Sequence, residues 1–239
     1  MATSWKFFST SAVDERAGLV TALTNVVWMG GAQWAGKSTV ARILAARYPI
    51  AVYHYDYHDA RSHSMRARRD PTRFPELNHF IRTLDADPDD IWVRPSPADM
   101  ADVARSIFEE RFVMVLEDLV AMPDDLTVLA EGWGLRPQLL APRLPEIERA
   151  IFLVPTESFR NHQAREMGRA QRLEIDGLSD PERAQGNRVA RDAILAGEVV
   201  ADARRLGLRV IEIDGVDNET VIASRVEAQF RPFLPEWIY

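Results

Sequence analysis

Residues Gly31, Ala32, Gln33, Trp34, Ala35, Gly36, Lys37, Ser38 and Thr39 spell the pattern G-x-x-x-x-G-K-[ST]. Two glycines at that spacing let the backbone wrap one anion, so that successive N–H groups and the N-terminus of the next helix face it. Lys37 would then reach the β- and γ-phosphates of a nucleotide, and the Ser38 hydroxyl would ligate Mg²⁺. Average residue frequencies produce such a string in roughly one chain in a hundred of this length. Here it also stands between an apolar run, Asn25–Gly30, and a helical pattern, which is the context the chemistry needs. ATP with Mg²⁺ is the expected ligand pair.

Acids and bases stand close to that loop in the expected order. The run Ile50–Tyr55 reads as a second strand, and Asp56 follows it directly. A carboxylate at the carboxyl end of a strand in an open α/β sheet points into the crevice where ligands bind. There Asp56 would accept the proton of a hydroxyl attacking the γ-phosphate; the competing role is to end the strand or close a turn. Asp59 is its nearby substitute.

His54, His58 and His63 lie just beyond, with Arg61, Arg66, Arg68, Arg69 and Arg73 interleaved or following. Without cysteine the histidines do not read as a structural zinc site, and substrate contact or solvation is expected of them. The arginines either recognise a phosphate or carboxylate on the acceptor or solvate a polar loop. Trp34 with Tyr53, Tyr55 and Tyr57 would offer stacking walls, and core packing accounts for the tyrosines equally well.

The elements that must position these groups follow from hydrophobic pattern. Asn25–Gly30, Ile50–Tyr55, Leu126–Ala130, Ala150–Val154 and Leu208–Ile213 are short, apolar and without strict alternation, as strands covered on both faces are. Helical patterns over 37–48, 157–173, 182–206 and 219–230 complete repeating βα units, so the fold class is α/β with crossovers. The stretch 57–125 is too long for a bare loop and reads as an inserted subdomain on the substrate side. Its second half opens with Ser96-Pro97-Ala98-Asp99, an N-cap serine followed by proline at the first helical position. Met100, Val103, Ile107, Phe108, Val115 and Leu119 then form an apolar stripe. The first half, Tyr57–Arg94, reads as polar.

With this loop, the acid after the second strand and an arginine-bearing segment after the fourth, the chain resembles the small-molecule kinase group of P-loop proteins, which includes shikimate kinase, nucleotide kinases and chloramphenicol phosphotransferase. The resemblance covers the five-strand core and not the insert. It implies a P-loop NTPase fold over 1–239 with strand order 2-3-1-4-5, and an Asp56 that faces the acceptor hydroxyl. It also implies that Ala164–Arg172 belongs to a lid over 156–180. Arg165, Arg169 and Arg172 share one helix face at that spacing. The first two would neutralise the moving phosphoryl group, and Arg172 would bind the nucleotide; a solvated face with Glu–Arg pairs is the other reading. Glu131 closes the third strand where P-loop proteins hold the acid of the Mg²⁺ site. Glutamate followed by glycine departs from the more familiar aspartate, so metal and acceptor roles both stay open.

Composition bounds the rest. The 239 residues carry a net charge of −7, opposite to the sign that non-specific nucleic-acid binding requires. There is no cysteine, which removes disulfides and thiolate chemistry and suits a reducing compartment. No apolar run approaches the length of about 18 residues that a membrane helix needs, and Met1–Asp14 lacks a signal-peptide pattern, so a cytoplasmic protein is expected. The favoured activity is transfer of the ATP γ-phosphate to a hydroxyl of a small molecule. A nucleoside or nucleotide kinase, an NTP-binding switch and a polynucleotide kinase are the rivals.

Overall fold

Five runs of apolar and β-branched residues pair into one parallel sheet in the order β2-β3-β1-β4-β5. The strands are β1 (Val26–Gly31), β2 (Ala51–His54), β3 (Val128–Glu131), β4 (Ala150–Pro155) and β5 (Arg209–Ile213). The structure is a computed structural model and describes residues 23–166 and 175–236. Every pairing is parallel, with Met29 opposite Glu131 and His54 opposite the same glutamate. Glu131 therefore lies between β1 and β2 at their carboxyl ends.

Because side chains alternate along a strand, β1 serves two cores. Val26 and Trp28 join Phe108, Phe112 and Val115 of the helix Pro97–Val120 and Leu195 and Val199 of the helix Pro181–Arg205. Val27 and Met29 join Val40 and Leu44 of the helix Lys37–Ala45 and Ile222 and Val226 of the helix Glu219–Phe230. Each such buried side chain contributes about 1.5–3 kcal/mol. The expected α/β architecture and strand order hold.

The expected boundaries shift in ways that matter for the site. The second strand stops at His54, not Tyr55, and Tyr55–His58 begins a helix that runs through a π-helical turn, Asp59–His63, into Ser64–Arg69. Asp56 thus stands in the first turn of a helix instead of at a strand end, and a helix N-terminus favours a negative charge there. The first helix ends at Ala45, three residues before Tyr48, whose hydroxyl donates to Glu227. The helix after β4 is described over Glu157–Glu166; its expected continuation to Leu173 runs beyond the described residues.

The insert is the larger correction. Its first half is helical over Pro75–Ala86 and Asp89–Trp92 as well as 55–69, and it has its own apolar centre. Phe74, Leu77 and Ile81 pack on Ile107 and Met114 of the long helix, while Trp92 and Val93 pack on Met100 and Ala184. Its arginines hid this pattern, since they alternate with the apolar positions. The long helix itself starts as the sequence requires: Ser96 accepts from the Asp99 N–H, and Asp99 completes a reciprocal capping box.

Candidate active site

Between β1 and the helix Lys37–Ala45 the backbone makes the turn that the two glycines allow. Gly36 is the residue before the helix, at φ 76°, and a Cβ there would meet nothing within 4 Å. Conformation, not room, reserves that position for glycine. Trp34 also has a positive φ of 65°, at a cost of about 1–3 kcal/mol that clusters at ligand-binding loops. No side chain caps this helix and its first turn carries no acid, so its N–H groups remain for another acceptor.

Lys37 is buried, and its Nζ donates to the Ala32 carbonyl of the loop at 2.7 Å. Burial lowers its pKa, while the negative charges of Asp56 and Glu131 hold it up. Ser38 Oγ donates to Glu131 Oε1 at 2.9 Å, and His54 Nδ1 lies 2.7 Å from the same oxygen. The other carboxylate oxygen of Glu131 is buried and without a partner among the described residues. A hydroxyl and an under-used carboxylate oxygen beside the glycine turn suit a hard divalent cation. Among the described residues no group of three His, Asp or Glu could hold a metal alone. The fit is therefore to an ion such as Mg²⁺, which takes one or two protein ligands and completes its shell with phosphate and water.

Asp56 joins this group from the helix at Tyr55. Its edge is open to solvent, yet protein surrounds the carboxyl closely: burial pushes its pKa up, Lys37 and a backbone N–H of Trp133 pull it down, and Glu131 pushes it up again. Tyr55 beneath it is held by a segment shaped for it. A Cβ on Gly134 would fall 2.1 Å from the Tyr55 ring, so the Glu131-Gly132-Trp133-Gly134 run admits the tyrosine only through its glycines. Asp59, the nearby substitute for Asp56, also lines the cavity and forms an ion pair with the buried Arg111.

The histidines go three separate ways. His54 meets Glu131, His58 stacks on Tyr53 with ring centroids 4.5 Å apart, and His63 is buried against Asp118. Of the insert arginines, Arg66 and Arg73 pair with Glu117 and Arg68 with Asp85, and Arg61 lies over the Tyr57 ring. None of the five lines the cavity beside Asp56. Arg66 and Arg73 are turned toward the helix Pro97–Val120, and Arg68 toward Pro75–Ala86.

That cavity has a volume of about 550 Å³ and is walled by Trp34, Tyr55, Trp92, Phe108 and Trp133, with Asp56 at its edge. Arg111, Arg188, Arg191 and Asp192 also line it, and sequence reasoning found none of them. Only the apolar stripe of the long helix hinted at them: Val103, a stripe position, is 43% exposed because it faces the cavity and not the core. Arg188 lies over the Trp34 ring, 5.6 Å from its centroid, which brings the helix Pro181–Arg205 against the glycine turn.

Of the arginines expected of a lid, Arg165 alone lies among the described residues. Arg165 is exposed in the last turn of Glu157–Glu166 and does not line the cavity; Arg169 and Arg172 lie outside the described residues. The far end of the segment is anchored, for Asp89 of the insert accepts hydrogen bonds from the Ser179 N–H, at 2.9 Å, and from its hydroxyl. Among the described residues no helix is long and apolar enough to cross a membrane. No family model matches the chain, and no curated protein matches it.

Proposed function

We propose that this chain is a P-loop kinase of the small-molecule group, moving the ATP γ-phosphate to a hydroxyl of a small acceptor. The observation that carries the reading is the convergence of Lys37, Ser38, Glu131 and Asp56 around a glycine turn at the carboxyl ends of β1, β2 and β3, beside a cavity. In an open parallel sheet that crevice is where ligands bind.

On this reading the loop 31–36 and the N–H groups of the following helix cradle the phosphates. Lys37 leaves the Ala32 carbonyl and turns to the β/γ-phosphates. Ser38 and Glu131 would hold Mg²⁺, which when bound with the nucleotide neutralises charge on the phosphates. The acceptor hydroxyl sits against Asp56, which takes its proton as the oxygen attacks phosphorus, and ADP leaves. A raised carboxylate pKa suits this task, because it strengthens the base. Arg165 and Arg169 remain the proposed source of positive charge over the transferring group. An enzyme fed by ATP in this way would work in the cytoplasm.

The test combines a binding measurement with single-turnover phosphoryl transfer. Lys37→Ala should abolish turnover and weaken ATP binding. Asp56→Asn should lower transfer by roughly 10²–10⁴-fold, the range for a lost general base, with ATP affinity near wild type. If Lys37→Ala turns over normally, the phosphate site is misassigned. If ATP binds and no hydroxyl acceptor raises ADP release, the chain is a nucleotide switch and not a kinase.

A further inference from the structure

Among the described residues the cavity wall carries five carboxylates, Asp56, Asp59, Asp90, Asp99 and Asp192, against three guanidinium groups, Arg111, Arg188 and Arg191, and each guanidinium already lies against a protein group. Asp59 pairs with Arg111, and Asp192 accepts from Arg191 at 2.7 Å. Asp90 pairs with Arg94, and Asp99 accepts from Ser96 in the capping box. Arg191 is further enclosed between the Trp92 and Trp133 rings, 5.2 and 5.3 Å from their centroids, and Arg188 lies on Trp34. Breaking such a pair to recruit its arginine would strand a carboxylate in a desolvated place. Arg66, Arg68 and Arg73 of the insert, another source of positive charge, face Glu117, Asp118 and Asp85 instead.

What remains for an incoming molecule is apolar surface. Phe80, Ile91, Met100, Val103, Ile107 and Phe108 line the cavity together with the tryptophans, and Val103 is 43% exposed. The indole N–H of Trp92 is buried and has no acceptor among the described residues, which offers one directional contact to a neutral oxygen. Cavities of about 300–1,000 Å³ hold drug-sized ligands, mostly by apolar contact with a few polar groups fixing orientation.

Resting on the kinase reading above, we infer that the acceptor is an uncharged or cationic, predominantly apolar hydroxyl compound that fills this cavity, and not a phosphorylated or carboxylated metabolite. An anionic acceptor would lose its hydration against a wall on which, among the described residues, carboxylates outnumber guanidinium groups five to three, Asp56 among them. A nucleoside monophosphate, whose phosphate needs dedicated cations, is therefore disfavoured.

The experiment titrates the full-length chain with N-phenyl-1-naphthylamine, an uncharged apolar dye that fluoresces on leaving water. A fluorescent ATP analogue is titrated in parallel. The expected result is saturable one-to-one dye binding, displaced by 2-naphthaleneethanol and not by adenosine monophosphate or glucose 6-phosphate. Val103→Glu sets a carboxylate at an already exposed position of the wall and should weaken the dye at least about tenfold, since the dye would take water from that charge. Ala104→Trp, which fills the cavity, should do the same. Absence of saturable binding, displacement by adenosine monophosphate, or indifference to both variants overturns the inference. Loss of ATP-analogue binding alone would sink the kinase reading while leaving the cavity's ligand class intact, so the two failures are distinguishable.

Discussion

Asp56 carries its charge where the protein around it disfavours charge, and that conflict has a consequence for stability as well as for chemistry. Burial is the largest influence on its carboxyl and raises the pKa, with Lys37 as the main opposing charge. The folded chain therefore binds this proton more tightly than the unfolded chain does. Stability falls as pH rises from the ordinary carboxylate value of about 3.9 through the raised one, and the cost is complete above it. Asp56→Asn should then raise the melting temperature at pH 7.5 and gain much less at pH 4, while lowering the phosphoryl transfer proposed above. Thermal melts at the two pH values check this; equal shifts would mean that the carboxylate's charge is not the source. On the proposed kinase reading, kcat/KM of the wild type should fall on the acid side through the same raised pKa, because a protonated Asp56 would not accept the hydroxyl proton.

At the scale of elements, the helix Pro97–Val120 is what turns an edge strand and an insert into a site. Asp118 near its C-terminal end accepts from the Tyr53 hydroxyl of β2 at 2.8 Å and from Arg66 at 2.7 Å, and His63 Nε2 lies 3.1 Å from it. Three elements are thus tied to one carboxylate, and one of them is the helix segment that begins with Tyr55 and Asp56. Burial alone would raise the pKa of Asp118, but the hydrogen bonds of His63 and Tyr53 and the nearby charges outweigh it and leave it lowered. That stabilisation is fully present above the unfolded value of about 3.9 and is lost as pH falls through the lowered folded value. Asp118→Asn should cost about 1.5–3 kcal/mol at neutral pH, the range for hydrogen bonds to a charged group, measured by urea denaturation. The deficit should close on acidification. It should also lower kcat more than it changes ATP affinity, because β2 and the Asp56 helix lose a common anchor.

Across the whole molecule, the two long helices on one face of the sheet are joined to the segment after β3 by a buried charge. Arg136 is 1% exposed; it donates to the Leu195 carbonyl at 2.9 Å and lies 3.4 Å from Glu198, which Arg105 of the other helix also meets at 2.7 Å. Burial lowers the Arg136 pKa to about 10, with Glu198 opposing, so the guanidinium stays charged at neutral pH and depends on these partners. Arg136→Ala should destabilise the fold by about 3 kcal/mol or more, as loss of one member of a buried pair does. It should do so as a single cooperative unfolding transition at a lower urea midpoint, because the helices, the sheet and the cavity share this contact. An unchanged midpoint would show that Arg105 holds Glu198 without it.

The sequence by itself determined what depends on neighbours along the chain. The strands were legible because short apolar runs are needed where a sheet is covered on both faces, and the turn before Lys37 because backbone at positive φ favours glycine, as at Gly31 and Gly36. The start at Ser96 was legible because a cap is a local hydrogen bond. Glu131 was recognised as an acid at a strand end, but its meeting with Ser38, 93 residues away, is a product of strand order. Tertiary structure alone decided that Asp59 belongs to Arg111 and that Arg66 is spent on Glu117 and Asp118. It also placed Arg188, Arg191, Trp92 and Trp133 around one cavity. No spacing announces such partners, because a charge can be neutralised by any element that packs against it, and which one does so is set by how the crossovers fold back on the sheet.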